Sequence, residues 1–173
     1  MPTILITGAS RGLGLGFAKR YAANGWRVLA SCREPKVAAD LNALANEFNL
    51  QINQLDVLDH GSIQDYANIL KDESVDILFN NAGIQGPQPQ NFCNIDYEAW
   101  ERVFQTNVMS VMKVCEAFIE NVERSDRKLI VNVSSGTSSI TQKTEVTPAH
   151  AAEKGELYLY RSSKTALNMV SRC

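Results

Sequence analysis

The chain lacks the features that mark several classes of protein. Its 173 residues carry a formal net charge of -2 and a pI near 5.7, so no basic excess is present to neutralise a nucleic-acid backbone. No positively charged apolar leader and no run of ~20 apolar residues occurs. We therefore expect neither nucleic-acid nor membrane partners, and a cytoplasmic location.

The sequence also has little that could bind a metal ion. Its four cysteines show no C-x-x-C spacing, and its two histidines are far from each other and from the cysteines. We therefore expect reduced thiols and no metal site. The residues concerned are Cys32, Cys93, Cys115, Cys173, His60 and His150.

A glycine-rich segment follows the first apolar run. Ile4 to Ile6 suits a strand buried on both faces of a parallel sheet. The next residues, Thr7 to Gly14, read T-G-x-x-x-G-x-G; they differ from G-x-G-x-x-G, because Phe17 stands where that pattern needs its third glycine. Such glycines let a helix N-terminus approach a pyrophosphate.

Strand and helix patterns alternate along the rest of the chain, which predicts one α/β domain with a doubly wound parallel sheet over residues 1–173. A long helix is predicted from Tyr97 to Val122, and an irregular excursion from Gly136 to Glu156. The later strands are predicted at Trp26–Ser31, Leu50–Leu55, Val75–Phe79 and Lys128–Ser135.

Polar residues that could carry chemistry end these strands or lie on the helices. Reducing a carbonyl group needs a hydride donor, a proton donor and a group that fixes the carbonyl oxygen. Phenol is a reluctant acid–base group at neutral pH. Lys164 follows Tyr160 by one helical turn on the same face, where its charge would favour the phenolate.

The order of these motifs resembles the short-chain dehydrogenase/reductase family over essentially the whole chain. The glycine loop is followed by Asn80-Asn81-Ala82-Gly83, the helical Asn107, Ser134-Ser135 at a strand end, and Tyr160-x-x-x-Lys164. Segments such as Ser31-Cys32-Arg33-Glu34 and Tyr160-Arg161-Ser162-Ser163-Lys164 are similar to the carbonyl reductase, Sniffer and C-factor branch. The resemblance implies a Rossmann-like fold.

It also implies roles for individual residues. Tyr160 would exchange the proton, Lys164 would also bind the nicotinamide ribose, Ser135 would hold the substrate oxygen, and Asn107 would hold a relay water. Ser134 is the alternative to Ser135. The implied cofactor-binding residues are Gly8, Ser10, Arg11, Gly12, Leu13, Gly14, Arg33, Asp56, Val57, Asn81, Ala82, Gly83, Tyr160 and Lys164. Asp56 has a second interpretation, since Asp56 or Asp59 could simply cap the next helix.

Cofactor preference depends on the end of the second strand. Arg33, together with Arg11, suits the 2′-phosphate of NADP(H), which we favour. Glu34 is the competing residue, because an acidic group about twenty residues after the glycines binds the ribose of NAD(H). The expected substrate is a small carbonyl compound or alcohol.

Two departures from the family pattern leave alternatives open. An insertion lies among the residues between Ser135 and Tyr160, where carbonyl reductases cover a dimerising surface, so homo-oligomer and monomer both stay open. The sequence ends at Cys173, before the family's next strand and substrate loop, leaving the fifth strand as an incomplete edge. A nucleotide-binding regulatory protein or an inactive fragment is therefore the alternative; an extended-type epimerase or dehydratase is disfavoured.

Overall fold

The computed structural model describes residues 1–90, 93–142 and 157–173. Strands and helices alternate along these residues as the apolar patterns predict. The strands are β1 (Thr3–Ile6), β2 (Arg27–Cys32), β3 (Leu50–Gln54), β4 (Ile77–Asn80) and β5 (Leu129–Asn132). The α-helices are α1 (Gly12–Ala23), α2 (Ala39–Glu47), α3 (His60–Ile69), α4 (Tyr97–Phe104), α5 (Ser110–Glu123) and α6 (Tyr158–Val170).

The five strands form one parallel sheet in the order β3-β2-β1-β4-β5. Ile4 in the central strand pairs with Val28 on one side and with Ile77 on the other. This order places the carboxyl ends of β1 and β4 side by side, and it confirms the predicted doubly wound α/β fold.

Each face of the sheet has its own apolar layer, because successive strand residues point to opposite faces. Ile4, Ile6 and Phe79 pack with residues of α1 and α2 on one face. Leu5, Leu29 and Leu78 pack on the other with residues of α3 and α5, including Phe118. Helices on both faces explain why β1 is an uninterrupted apolar run with no exposed surface at Ile4, Leu5 or Ile6.

Polar residues set the helix ends at several places. Asp59 precedes α3 and accepts a hydrogen bond from the Gly61 amide at 2.9 Å. Asp96 does the same for α4, from the Ala99 amide at 2.9 Å. A carboxylate at this position satisfies one of the unpaired amides of the first turn. The alternative interpretation of Asp59 as a helix cap is therefore confirmed.

The predicted boundaries of the strands differ from the observed ones by up to three residues, and two elements depart from their prediction in a way that has a local cause. The predicted long helix is divided, because the π-helical segment Gln105–Met109 separates α4 from α5. The predicted strand Lys128–Ser135 is shorter, since β5 ends at Asn132. Beyond it, the Ser135 side chain accepts a hydrogen bond from the Thr137 amide and begins a 3₁₀ turn, Gly136–Ser138. Local hydroxyl–backbone bonds of this kind compete with a strand ladder.

The described residues form two compact units. The first contains Met1–Ala82 and Val111–Val133, and so the whole sheet. The second contains Gly83–Ser110 and the described part of Ser134–Cys173. That the chain acts as one domain stays a prediction.

Part of the predicted excursion is described. It begins with the 3₁₀ turn already noted, and its residues 143–156 lie outside the described residues. Among the helices that the structure describes, none combines the length and the apolar character needed to cross a bilayer.

We expect the layer around Phe118 to contribute strongly to stability. Phe118 has no exposed surface, and its ring contacts that of Tyr66 edge-on at a centroid distance of 5.6 Å. Phe118→Ala should lower the free energy of unfolding by about 3–5 kcal/mol, from lost burial and a residual cavity. Chemical denaturation measures this loss. The neighbouring Ile119, 40% exposed, provides the control, and Ile119→Ala should cost much less.

Candidate functional site

The segment between β1 and α1 turns sharply at two glycines. Gly8 and Gly12 have φ angles of +68° and +57°, in the left-handed region that favours glycine. Between them, the Ala9 amide donates to the Ser31 carbonyl oxygen at 2.9 Å, which fixes the loop to the end of β2. The loop therefore has a defined shape set by backbone contacts.

Close packing explains two of the glycines. A Cβ atom on Gly8 would lie 2.9 Å from the Ala82 Cα atom. One on Gly14 would clash with the Gly8 carbonyl oxygen and lie 2.6 Å from the Asn81 side-chain nitrogen. The first turn of α1 thus lies directly against the loop and the residues after β4, and no larger residue fits at position 14.

Thr7 and Asn81 hold this arrangement together. The Thr7 hydroxyl oxygen accepts from the amides of Asn81 and Ala82, each at 3.1 Å. The Asn81 side chain donates to the carbonyl oxygens of Thr7 and Gly8, each at 3.0 Å. Asn81 and Ala82 are among the predicted cofactor-binding residues. The role of Thr7 was not predicted, although Thr7 is the first residue of the T-G-x-x-x-G-x-G motif.

The N-terminus of α1 suits an anion. Arg11 occupies the N-cap position, no side chain caps the first turn, and that turn contains no acidic residue. A Cβ atom on Gly12 would meet nothing within 4 Å, so the space beside it is open. Amides at the positive end of a helix, approached through open space, could hold a phosphate group. Ser10 is half-buried, and Leu13 is exposed beside them.

The ends of β2 and β3 border a groove of about 720 Å³. Arg33, Glu34 and Asp56 all line it, and Arg33 and Glu34 are both exposed. Asp56 accepts from the Leu58 amide at 3.0 Å, so its carboxylate shapes the turn, and Val57 is buried. Because the groove contains both Arg33 and Glu34, its geometry leaves the choice between the two cofactors open.

Asn107 lies in the π-helical segment and has no exposed surface. Its side-chain oxygen accepts from the Ile84 amide, and its nitrogen donates to the Ile84 carbonyl oxygen and the Ser163 hydroxyl oxygen, all at 2.9 Å. Ser163 in turn donates to the Tyr160 carbonyl oxygen at 2.8 Å. Asn107 therefore joins the chain after Gly83 to helix α6. Sequence reasoning missed Ser163, although it stands inside the Tyr160–Lys164 motif.

Tyr160 and Lys164 lie together on α6. The Lys164 Nζ atom is 5.9 Å from the centre of the Tyr160 ring. Lys164 is only 4% exposed, and burial lowers its pKa below the ordinary lysine value. Tyr160 is half-buried. A buried cation one turn from a phenol ring is an arrangement suited to stabilising a phenolate.

The first turn of α6 has a cap from a distant part of the chain. Leu157, in the N-cap position, has a φ angle of +56° and no capping side chain. The Gln90 side-chain oxygen instead accepts from the Leu159 amide at 2.8 Å, and Gln90 is 2% exposed. Nothing in the sequence signals this contact.

The two adjacent serines have different environments. The Ser134 hydroxyl donates to the Asn168 side-chain oxygen at 2.6 Å. The Ser135 hydroxyl oxygen accepts from the Thr137 amide at 3.2 Å and lies 2.9 Å from the Thr137 hydroxyl oxygen. The hydroxyl hydrogen of Ser134 is donated to Asn168, whereas in the contact between the Ser135 and Thr137 hydroxyls either oxygen can donate, so the choice of Ser135 for a ligand oxygen stays a prediction.

The predicted site residues are divided between the two units of the structure, and Tyr160 and Lys164, which were predicted for both roles, belong to the second. The predicted cofactor residues from Gly8 to Ala82 belong to the first unit. Gly83 and the four predicted catalytic residues belong to the second. Within the part of the chain that the structure describes, no three His, Cys, Asp or Glu side chains cluster as a metal site would require.

Comparison with known proteins defines the family. The family model for short chain dehydrogenases matches residues 2–173. The chain belongs to the short-chain dehydrogenase family, which is a family of oxidoreductases.

Particular relatives are similar over most of this chain. Short-chain dehydrogenase anuI of Penicillium roqueforti is 35% identical over 98% of the chain and 70% of its own length. The (+)-neomenthol dehydrogenase of Arabidopsis thaliana is 31% identical over 79% of the chain and 54% of its own length. A carbonyl reductase from Pseudomonas aeruginosa in complex with NADP has a TM-score of 0.83 and 30% identity, covering 99% of this chain and 74% of that structure. This chain is therefore shorter than these relatives.

The packing of Gly14 gives a matched pair of variants. Gly14→Ala should displace the loop or the Asn81 side chain, because the added methyl group has no space. Gly16→Ala places the same group on the same helix, where nothing lies within 4 Å, and should be neutral or slightly stabilising. Fluorescence titration with NADPH should show affinity at least ~10-fold weaker for Gly14→Ala, with Gly16→Ala unchanged. Equal affinities in the two variants would contradict the packing argument.

Burial of Lys164 predicts a pH-dependent effect on stability. Because its pKa is lowered in the folded state, the unfolded chain binds this proton more tightly. Stability should then rise with pH between the folded pKa and the ordinary lysine value. Lys164→Met removes this titration, so its stability should lack this rise with pH. Denaturant unfolding at several pH values measures the slope, and Lys19→Met, at an exposed site, should keep the slope of the natural chain.

Proposed function

We propose that the chain is an NADP(H)-dependent oxidoreductase that interconverts a carbonyl compound and a primary or secondary alcohol. The observation that carries the proposal is the pairing of a buried lysine with a tyrosine on one face of α6, in a chain that belongs to a family of oxidoreductases. A phenol needs such a neighbour to exchange protons near neutral pH.

The residues of the glycine loop fit a dinucleotide. Gly8, Gly12 and Gly14 leave three positions of the loop without a side chain, and the uncapped amides at the start of α1 would hold the pyrophosphate. The exposed Arg11 adds positive charge at the same helix end. When bound, the nicotinamide cofactor supplies or accepts the hydride.

The chain's own residues supply the remaining functions. Tyr160 would donate a proton to the developing alkoxide, or accept it in the reverse direction. Lys164 would favour the phenolate and bind the nicotinamide ribose. Ser135 would hold the substrate oxygen, and Asn107 would take part in proton relay. Since both amide hydrogens of Asn107 are donated to Ile84 and Ser163, a relay water would have to bind an acceptor atom of this residue.

NADP(H) is proposed over NAD(H) on the guanidinium of Arg33 and not on the overall charge of the groove, which is also lined by the carboxylates of Glu34, Asp56, Asp59 and Asp65. Arg33 is exposed at the end of β2 and lines this groove, where a guanidinium could pair with a 2′-phosphate in a bidentate manner. The Pseudomonas aeruginosa carbonyl reductase was solved in complex with NADP, which supports the same preference. Glu34 lines the groove as well and would repel a 2′-phosphate, so the experiment compares NADPH with NADH.

A second candidate function is nucleotide binding without turnover, as a regulatory protein or an inactive fragment. One observation favours it. The glycine loop and the contacts that hold it belong entirely to the first unit of the structure, so the shape of the loop does not depend on the candidate catalytic residues, which belong to the second unit. We propose a small carbonyl compound or alcohol as the substrate. For the oligomeric state, both a monomer and a homo-oligomer stay proposals.

Titration of NADPH and NADH fluorescence, followed by an oxidation assay against a panel of aldehydes and ketones, tests the proposal. We expect tighter NADPH binding, and turnover that Tyr160→Phe lowers by ~10²–10⁴-fold, the usual contribution of a general acid. Tyr158→Phe is the matched control, because it removes a hydroxyl from an exposed position on the same helix, and it should leave the rate unchanged.

The same titration tests the cofactor preference. Arg33→Ala should weaken NADPH binding by about 10-fold, with NADH binding unchanged, and Arg20→Ala at an exposed site of α1 should affect neither. NADPH binding without turnover would favour the second candidate function. Absence of binding to either nucleotide would contradict both candidates.

A further inference from the structure

Helix α6 is tied to the 3₁₀ turn Gly136–Ser138 by hydrogen bonds that the proposed roles do not use. Asn168, one helical turn beyond Lys164, donates from its side-chain nitrogen to the Ser138 hydroxyl oxygen at 2.8 Å. The Ser138 hydroxyl donates to the carbonyl oxygen of Ser135 at 2.5 Å. Asn168 thus reaches the main chain of the residue proposed to hold the substrate oxygen, through one intermediate hydroxyl.

The directions of these bonds are fixed by the available hydrogens. Asn168 accepts from the Ser134 hydroxyl at 2.6 Å through its oxygen, so its nitrogen is the atom that faces Ser138. Ser138 has one hydroxyl hydrogen, and it is donated to Ser135. The side chain at position 168 must therefore accept from Ser134 and donate to Ser138. Among residues of this size and shape, asparagine can do both.

We propose that Asn168 is a positioning residue that fixes Ser135 relative to Tyr160, acting through Ser138. The inference rests on the proposed function, since it assigns Ser135 to the substrate oxygen and Tyr160 to the proton. Asn168 and Tyr160 are on the same helix, ~12 Å apart along its axis. The bonds from Asn168 through Ser138 to Ser135 therefore fix the position of Ser135 relative to the helix that carries Tyr160.

A second contact joins the same turn to α6 without involving Ser135. The Thr165 hydroxyl shares its hydrogen between the Ser138 carbonyl oxygen at 2.8 Å and the Arg161 carbonyl oxygen at 2.9 Å. This contact joins the end of the turn to α6. The Ser138 amide and hydroxyl both donate to the Ser135 carbonyl oxygen, and of these two groups only the hydroxyl also accepts from Asn168. Removing Asn168 should therefore loosen Ser135 while the turn stays attached to the helix.

Burial sets the expected size of the effect. Ser138 is 4% exposed, so its bond to Ser135 is shielded from water. Asn168 is exposed, and water can partly replace its amide. Small displacements of a reacting group can cost up to ~100-fold in rate. We expect a loss of about 10-fold in kcat for Asn168→Ala and one at least as large for Ser138→Ala.

The test compares Asn168→Ala, Ser138→Ala, their double variant and Ser134→Ala, using NADPH and the best carbonyl substrate of the panel. The loss should fall on kcat, with the NADPH dissociation constant within about twofold of the natural chain. The double variant should be within about threefold of Ser138→Ala, because both changes break one path. Ser134→Ala removes the bond that orients the Asn168 amide, so it should lower kcat in the same direction as Asn168→Ala. Met169→Ala, at a neighbouring exposed position, is the control and should retain full kcat.

Amide hydrogen exchange at Ser138 provides a readout that does not need turnover. Its amide donates to the Ser135 carbonyl oxygen at 3.0 Å, so Asn168→Ala should raise its exchange rate about 10-fold or more, and Met169→Ala should not. An unchanged kcat in Asn168→Ala, or multiplicative losses in the double variant, would overturn the inference. If the natural chain binds NADPH without turnover, the proposed function fails; unchanged exchange at Ser138 would separately overturn the contact itself.

Discussion

The close packing of the first turn of α1 against the Gly8 carbonyl and the Asn81 side chain is the constraint on which the nucleotide-binding part of the structure depends. It needs glycine at position 14, since any Cβ atom would overlap these groups. It also needs Asn81, whose amide satisfies two loop carbonyls that would otherwise lack a partner. The positive end of the helix can then face an open space beside Gly12.

Buried amide side chains connect separate segments of the second unit. The amide of Asn107 is fully buried and satisfied by Ile84 and Ser163. Gln90 caps the helix that carries Tyr160. Buried polar groups with complete partners confer a defined geometry, and a wrong partner costs more than an apolar replacement would. Burial lowers the pKa of Lys164, and perturbed pKa values of this kind cluster at functional sites.

Cofactor preference illustrates the limit of local geometry. Arg33 and Glu34 follow β2 directly and line one groove, so both charges are available to a ribose and its substituents. A 2′-phosphate would be attracted by the Arg33 guanidinium and repelled by the Glu34 carboxylate. A free ribose hydroxyl would instead donate a hydrogen bond to the carboxylate. The preference between NADP(H) and NAD(H) therefore depends on the difference between the contributions of these two exposed charges.

The sequence by itself determined the fold class and most of the candidate site. Apolar runs and glycine positions predicted the five parallel strands, and Thr7 to Gly14, Asn81 and the Tyr160–Lys164 pair were found by motif. These features are local, since strand burial and i, i+4 spacing follow from the chain alone. Only the tertiary structure revealed that Gln90 caps α6, that Ser163 holds Asn107, and that Asn168 reaches Ser135 through Ser138. Such contacts join residues far apart in sequence, and a single chain carries no periodic signal for a hydrogen bond made across a fold.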